Sequence, residues 1–256
     1  MIEFLDIVPG VTPWTFIGLT VLTFFTATLG VVAGLGGGVL LLGVMATIFP
    51  PATVVPLHGM VLFGTNVGRA VIMRRLVLAP LIPAFAAGAI GGALVGGQLV
   101  VSLPTAALQI ILGSFLLYVC WAPPPPATAY SRNKFFSLGA IGMLIGMFVG
   151  ASGSLIAPFI AAACPDRRQF VATHSVLMTF VHGLKILVFG LLGFAISAYL
   201  PLMAAMIGAS FFGSYFGAKL LHCMPERAFR RIFRLVLSLL ALRLLYAGAS
   251  GAGWIS

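Results

Sequence analysis

Apolar residues follow one another in long runs along this chain, without the alternation of apolar and polar positions that a membrane β-strand shows. A run of about 20 apolar residues predicts a helix that crosses a bilayer. Two of the runs hold only about half that length, so neither crosses alone. The runs lie at residues 11–33, 38–49, 52–73, 77–101, 105–122, 135–149, 154–164, 170–192, 199–221 and 228–249. The pattern predicts an all-α polytopic membrane protein.

Composition supports the same class. The 256 residues are 61% hydrophobic and 7% charged, and the mean hydropathy is +1.17. A water-soluble domain cannot cover its surface with so few polar groups. The net charge of +10 is typical of basic cytoplasmic loops in such a protein, so we expect a lipid bilayer as partner and no nucleic acid. The three cysteines are far apart, and neither a metal nor any other cofactor is expected.

The chain repeats itself. GVVAGLGGG at 30–38 resembles GMFVGASGS at 146–154, 116 residues later. At the same offset His58 corresponds to His174, Asn66 to His182 and Arg69 to Lys185; at an offset of 121, Pro80 corresponds to Pro201 and Gly92 to Gly213. These correspondences predict two homologous transmembrane repeats at 1–122 and 135–256, joined by a Pro-rich cytoplasmic linker at 123–134.

Basic loops predict that the two repeats are inverted. Arg74 and Arg75 follow the third segment of the first repeat, where the second repeat is apolar near Gly193. The basic residues at 167–168 and 227–231 likewise correspond to uncharged residues in the first repeat. Positively charged loops stay in the cytoplasm, so the repeats take opposite orientations. Each would then be a glycine-broken helical hairpin plus three transmembrane helices, with both termini in the periplasm and the linker in the cytoplasm.

Two glycine-rich breaks interrupt the apolar pattern, at 34–38 and 150–154, and each precedes a half-length segment. Irregular backbone at membrane depth is tolerated only against protein or a water-filled cavity, and inverted repeats with broken helices are typical of secondary transporters. A helix that starts there offers free N–H groups and a positive dipole end, which together attract an anion. The alternative is that the glycines only permit close helix packing.

Polar residues form a stripe in each repeat. His58, Asn66 and Arg69 fall on one helical face of the first repeat, and His174, His182 and Lys185 repeat the pattern. Lys185 is expected to contact a substrate, whereas Arg69 either does so or reaches the inner surface. The four acidic residues all lie at predicted ends or loops, so a cationic substrate is not expected, and histidine would carry any coupled proton. The predicted substrate-binding residues are Gly36, Gly37, Gly38, His58, Asn66, Ser152, Gly153, Ser154, His174, His182 and Lys185.

The glycine motifs GLGGG, with FPP after it, and GASGS, with ACP after it, resemble those of the TauE/SafE family, over about residues 14–247. The resemblance implies a transporter of the bacterial inner membrane that moves a small anion such as sulfite, a sulfonate or sulfoacetate. Ser152 and Ser154 stand where glycines are common in the family, and their hydroxyls would tune which anion fits.

Two other functions are compatible with the pattern. One is an anion channel. The other is a rhomboid-like intramembrane protease, because residues 150–153 read Gly-Ala-Ser-Gly and His174 or His182 would be the base of a Ser–His pair. Ser152 corresponds to Gly36 in the first repeat, which explains the motif as a variant glycine loop. We therefore expect no catalytic residue, and no oligomeric state is assigned.

Overall fold

A computed structural model describes residues 8–32, 37–123, 131–164, 166–220 and 226–254. Within these ranges the chain is helical and contains no strand, which confirms the all-α prediction. Each α-helix coincides with one predicted apolar segment. The helices are α1 (Pro13–Val32), α2 (Gly37–Met45), α3 (Pro51–Ile72), α4 (Ile82–Ser102), α5 (Thr105–Trp121), α6 (Arg132–Val149), α7 (Gly153–Ala163), α8 (Arg167–Leu191), α9 (Leu200–Leu220) and α10 (Glu226–Gly251).

Five helices of the described chain are long and apolar enough to cross a membrane: α1, α4, α8, α9 and α10. The two half-length helices are confirmed, since α2 has 9 residues and α7 has 11. α1 is long enough to cross by itself, although the prediction places it in a hairpin. α3 has 22 residues, but its polar stripe keeps it outside this set.

α4 and α6 run parallel at very close range. A Cβ at Gly88 would meet the backbone of Phe136 and Ala140, and one at Gly92 would meet Ala140 and Leu144. Residue numbers therefore rise together along both helices. Small residues at such an interface let two backbones touch, which is how helices associate strongly in lipid.

α1 and α9 also approach each other closely enough for their backbones to touch. A Cβ at Gly213 would meet the carbonyl of Phe24, and the Thr28 hydroxyl donates a hydrogen bond of 2.9 Å to the Gly213 carbonyl. Each of these two close pairs joins a helix that precedes the linker to one that follows it.

α3 and α8 form an antiparallel pair in the centre. A Cβ at Gly183 would lie 3.2 Å from the Phe63 ring, and the Leu78 N–H, just beyond α3, donates to the Thr173 hydroxyl at 2.9 Å. Residue numbers rise along α3 as they fall along α8.

α5 and α10 are also antiparallel. The backbone of Gly113 lies against Leu245, while the Trp121 indole N–H donates to the Ser238 hydroxyl at 3.0 Å. The antiparallel pairs are thus α3 with α8 and α5 with α10, and the pairs with touching backbones are α4 with α6 and α1 with α9.

Candidate functional site

The break between α6 and α7 is a tight turn centred on Gly150. This residue has φ +78° and ψ −39°, and the Ala151 N–H donates to the Val149 carbonyl at 2.9 Å. That bond closes a three-residue γ-turn with positive φ. This turn is rare because the side chain of an L-residue would clash with the backbone there. A Cβ at Gly150 would also lie 3.1 Å from Leu42 Cδ1. The turn reverses the chain, so α7 begins only three residues later.

The break between α1 and α2 lies at residues 33–36, which are outside the described residues, and so is the predicted site residue Gly36. α2 begins at Gly37, tightly against α1. A Cβ at Gly37 would meet the Thr26 carbonyl oxygen and would lie 2.9 Å from Gly30 Cα. Only glycine permits this approach.

Both stripe histidines hold the start of a half-length helix. His58 Nε2 lies 2.8 Å from the Gly38 carbonyl oxygen, and His174 Nε2 lies 3.3 Å from the Gly153 carbonyl oxygen. Because a carbonyl only accepts hydrogen bonds, each Nε2 is the donor and carries the proton. α3 therefore fixes α2, and α8 fixes α7.

A cavity of about 160 Å³ opens between the two helix starts. α1, α3, α8 and α9 complete its wall. Seven of the predicted site residues line it: Gly37, Gly38, Asn66, Gly153, Ser154, His174 and His182. The two half-length helices thus present their first turns, with N–H groups that have no acceptor within the helix, to one shared space.

Arg69 supplies the positive charge of this cavity. The sequence left its position undecided, and the structure places it in the wall near the end of α3. A guanidinium offers five N–H donors in a planar fork that matches the oxygens of a carboxylate or sulfonate-type group. The Arg69 charge also acts on the His174 ring nearby.

Lys185, which stands 116 residues after Arg69, lies outside the cavity wall. It is fully buried, and its Nζ donates a hydrogen bond of 2.8 Å to the Gly150 carbonyl oxygen. His58 and Ser152 are also fully buried and do not line the cavity. Lys185 and His58 contact the second break at Gly150, whereas Ser152 lies within the break and its hydroxyl is directed toward Gly146.

Ser152 forms no Ser–His pair in this arrangement. Its hydroxyl has no hydrogen-bond partner among the described residues, and His174 Nε2 is engaged with Gly153. The nucleophile–base contact that a serine protease would require is therefore not made by His174 or His182 here.

Hydroxyl groups on α1 and α9 line the cavity and were not predicted. They come from Thr23, Thr26, Ser210 and Ser214, with Thr65 on α3. Thr65 and Ser210 share a hydrogen bond of 2.9 Å, whereas Thr23 donates to the Leu19 carbonyl. The spacing of three residues on α1 and four on α9 puts each set on one helical face, which was the available signal.

The cavity wall is suited to an anion. It combines one guanidinium, two imidazoles, several hydroxyls and two helix starts, and no carboxylate is found among its described residues. Within the described chain no cluster of three or more histidines, cysteines or acids could hold a metal ion. Charge-assisted hydrogen bonds to an oxyanion are the interaction that this donor set makes best.

Comparison with known proteins agrees with this chemistry. A family model described as "Sulfite exporter TauE/SafE" matches residues 19–244. No curated protein and no solved structure matches the chain. The matched region contains both breaks and every cavity residue named above, and it covers nearly the whole chain. The chain therefore belongs to the TauE/SafE family, whose members are membrane transporters.

Proposed function

We propose that this protein is a secondary carrier of small sulfur-containing or organic anions, such as sulfite, sulfonates or sulfoacetate, in the bacterial inner membrane. One observation carries the proposal. Two half-length helices start at the same cavity, and the Arg69 guanidinium stands in its wall. Helix starts and a guanidinium both bind oxyanions.

The cavity size favours a small substrate. Its volume of about 160 Å³ is well below the roughly 300–1,000 Å³ of pockets that hold drug-sized ligands. An anion of a few non-hydrogen atoms fits this space, whereas an aryl sulfonate requires the cavity to widen. We therefore propose that sulfite and short sulfonates are better substrates than aromatic sulfonates.

We also propose that the two repeats are inverted about an axis in the membrane plane. The positions at which the helices begin support the repeat. α2 and α7 begin 116 residues apart, at Gly37 and Gly153, and so do α3 and α8, at Pro51 and Arg167. Packing supports the inversion, because α3 and α8 run antiparallel, as do α5 and α10. If α6 corresponds to α1 and α9 to α4, then α4 on α6 and α9 on α1 are equivalent pairs. A site between such repeats can open to either side by similar motions.

Binding of anions to the purified protein tests the function. The panel should contain sulfite, sulfoacetate, taurine, an aryl sulfonate, sulfate and acetate, each measured by the shift in thermal unfolding midpoint. A carrier of this class is stabilised by one or more sulfur oxyanions and not by the matched chloride salt at equal ionic strength. A panel without any specific shift contradicts the proposal.

Flux in proteoliposomes then separates a carrier from a channel. We expect uptake that saturates with anion concentration and accelerates when the same anion is loaded on the opposite side. Linear, unsaturated flux without this acceleration would instead favour the channel.

A further inference from the structure

The ammonium group of Lys185 is buried without a counter-ion among the described residues. Its side chain is fully buried, and the Gly150 carbonyl is its one hydrogen-bond acceptor among the residues that the structure describes. Asp166 is the one acid whose side chain the structure describes, and it caps the start of α8 by accepting from the N–H groups of Arg168 and Gln169. Lys185 stands nineteen positions further along the chain, a distance of about 28 Å along the helix.

All titratable groups around Lys185 are basic. His58 on α3 and His182 on α8 interact with it electrostatically. Three other elements that pack on α8 also carry basic residues. They are Arg69 on α3, Arg74 and Arg75 in the turn after α3, and Arg132 and Lys134 at the far end of α6. α2, α4 and α7 carry no titratable side chain. Nothing described near the ammonium group compensates its charge.

Burying an unpaired charge in an apolar interior is strongly unfavourable, so the lysine is stable as the neutral amine when the cavity is empty of anions. An anion beside the second break changes this balance. Its negative charge lies on the other side of the thin wall formed by Gly150–Ser154, where the interior screens charges poorly. The charged lysine and the bound anion then stabilise one another.

We propose that Lys185 is a proton-binding site coupled to the anion cavity, so that each anion is carried together with one proton. This inference rests on the proposed anion transport and adds its coupling ion. The proton enters from the side from which the anion enters and converts the amine to the ammonium. It leaves when the anion leaves, which makes transport of a monovalent anion electroneutral.

His182 lies on the route between the cavity and Lys185. It lines the cavity, and its Nδ1 is buried with no hydrogen-bond partner among the described residues. A Cβ on Gly59 would lie 3.8 Å from this Nδ1 and 3.1 Å from Lys185 Cδ, so both side chains flank the same glycine. An imidazole with one free ring nitrogen can pass a proton from the cavity to the amine.

Proton uptake during anion binding tests the coupling. Sulfoacetate is a suitable probe because both of its acidic groups remain ionised above pH 6. The purified protein is mixed with it in weakly buffered solution containing a pH indicator, and its Kd is measured at each pH. We expect about one proton taken up per anion bound, and a Kd that rises about tenfold per pH unit on the alkaline side.

Lys185→Arg is the decisive variant, because it keeps a donor for the Gly150 carbonyl but holds its charge at every pH. We expect it to bind the anion without proton uptake and with a Kd independent of pH. Lys185→Met should bind weakly and take up no proton. His182→Gln should slow proton uptake in stopped flow and leave its stoichiometry unchanged.

Several results would overturn the coupling. Wild-type protein that binds sulfoacetate without proton uptake would do so, and so would Lys185→Arg protein that takes up a proton as the wild type does. Loss of the stoichiometry in His182→Gln together with its retention in Lys185→Arg would assign the proton to the histidine. If no anion of the panel binds at all, the proposed function itself fails, and the coupling fails with it.

Discussion

The Nζ atom of Lys185 donates a hydrogen bond of 2.8 Å to the carbonyl oxygen of Gly150, the residue at which α6 ends. The contact ties the middle of α8 to the break that precedes α7. Since α7 starts at the cavity, the geometry of this turn determines where its N–H groups point. The break is therefore fixed both by its own dihedral angles and by a side chain from another helix.

Substituting Gly150 with alanine should destabilise the protein by about 1–3 kcal/mol, because its φ of +78° lies in a region that strains L-residues. The new Cβ would also press against Leu42. The measurement is the free energy of unfolding in detergent, together with anion affinity. Gly193→Ala is the matched control, since Gly193 has φ +89° but no atom within 4 Å of an added Cβ. Equal effects of both variants would mean that the contact behind the turn has no energetic role.

Replacing Arg69 with glutamine should weaken anion binding about ten- to a hundredfold, since hydrogen bonds to a charged group contribute about 1.5–3 kcal/mol. Isothermal titration with the anion that gives the largest thermal shift measures this. Arg75→Gln removes the same charge from an exposed residue outside the cavity and should leave the affinity unchanged. A similar loss of affinity in both variants would show that anion binding depends on the net charge of the protein and not on the position of Arg69.

Gly139→Ala should separate α4 from α6, because its Cβ would meet the Phe85 carbonyl. Forcing an atom into such an interface costs about 1–3 kcal/mol. Gly91→Ala on α4 is the control: nothing lies within 4 Å of that Cβ, and alanine favours a helix by about 1 kcal/mol over glycine. The thermal unfolding midpoint should fall in the first variant and hold or rise in the second. An unchanged midpoint for Gly139→Ala would rule out the tight helix contact.

Labelling of single cysteines should show on which side of the membrane the linker and the C-terminal region lie. In a chain without Cys120, Cys164 and Cys223, we expect Ala252→Cys to react with a membrane-impermeant maleimide added outside. Ala127→Cys, in the linker, should react only after the membrane is permeabilised. The reverse pattern, or labelling of both residues from one side, would contradict the inverted repeat.

Much of the fold could be predicted from the sequence because lipid leaves few choices: a continuous apolar run becomes a helix. The half-length of α2 and α7 followed from the glycine breaks. The roles of Arg69 and Lys185 could not be separated, because they stand at corresponding positions of the two predicted repeats and helical periodicity assigns them the same face. The difference depends on packing. Lys185 passes beside Gly59 toward Gly150, whereas Arg69 lines the cavity.

The cavity hydroxyls of α1 and α9 were missed for a related reason. The hydroxyl groups of threonines such as Thr23 donate to carbonyls of their own helix. Such threonines are therefore tolerated in any apolar helix, and the sequence does not mark them as cavity residues. Their contribution becomes visible only when α9 is placed against α1, from the far end of the chain.

That pairing also constrains how the protein is made. Thr28 and Gly213 are joined across 185 residues of sequence. At a synthesis rate of about 5–20 residues per second, α1 waits roughly ten to forty seconds in the bilayer before its partner emerges. We predict that residues 1–134 expressed alone are degraded, and that co-expression with 135–256 as a separate chain restores a stable protein, measured by the yield of the first fragment in membranes. An equal yield with and without the second fragment would show that residues 1–134 fold independently. Otherwise α1 meets its partner only after the intervening helices have been inserted, and the contact between these two helices forms late.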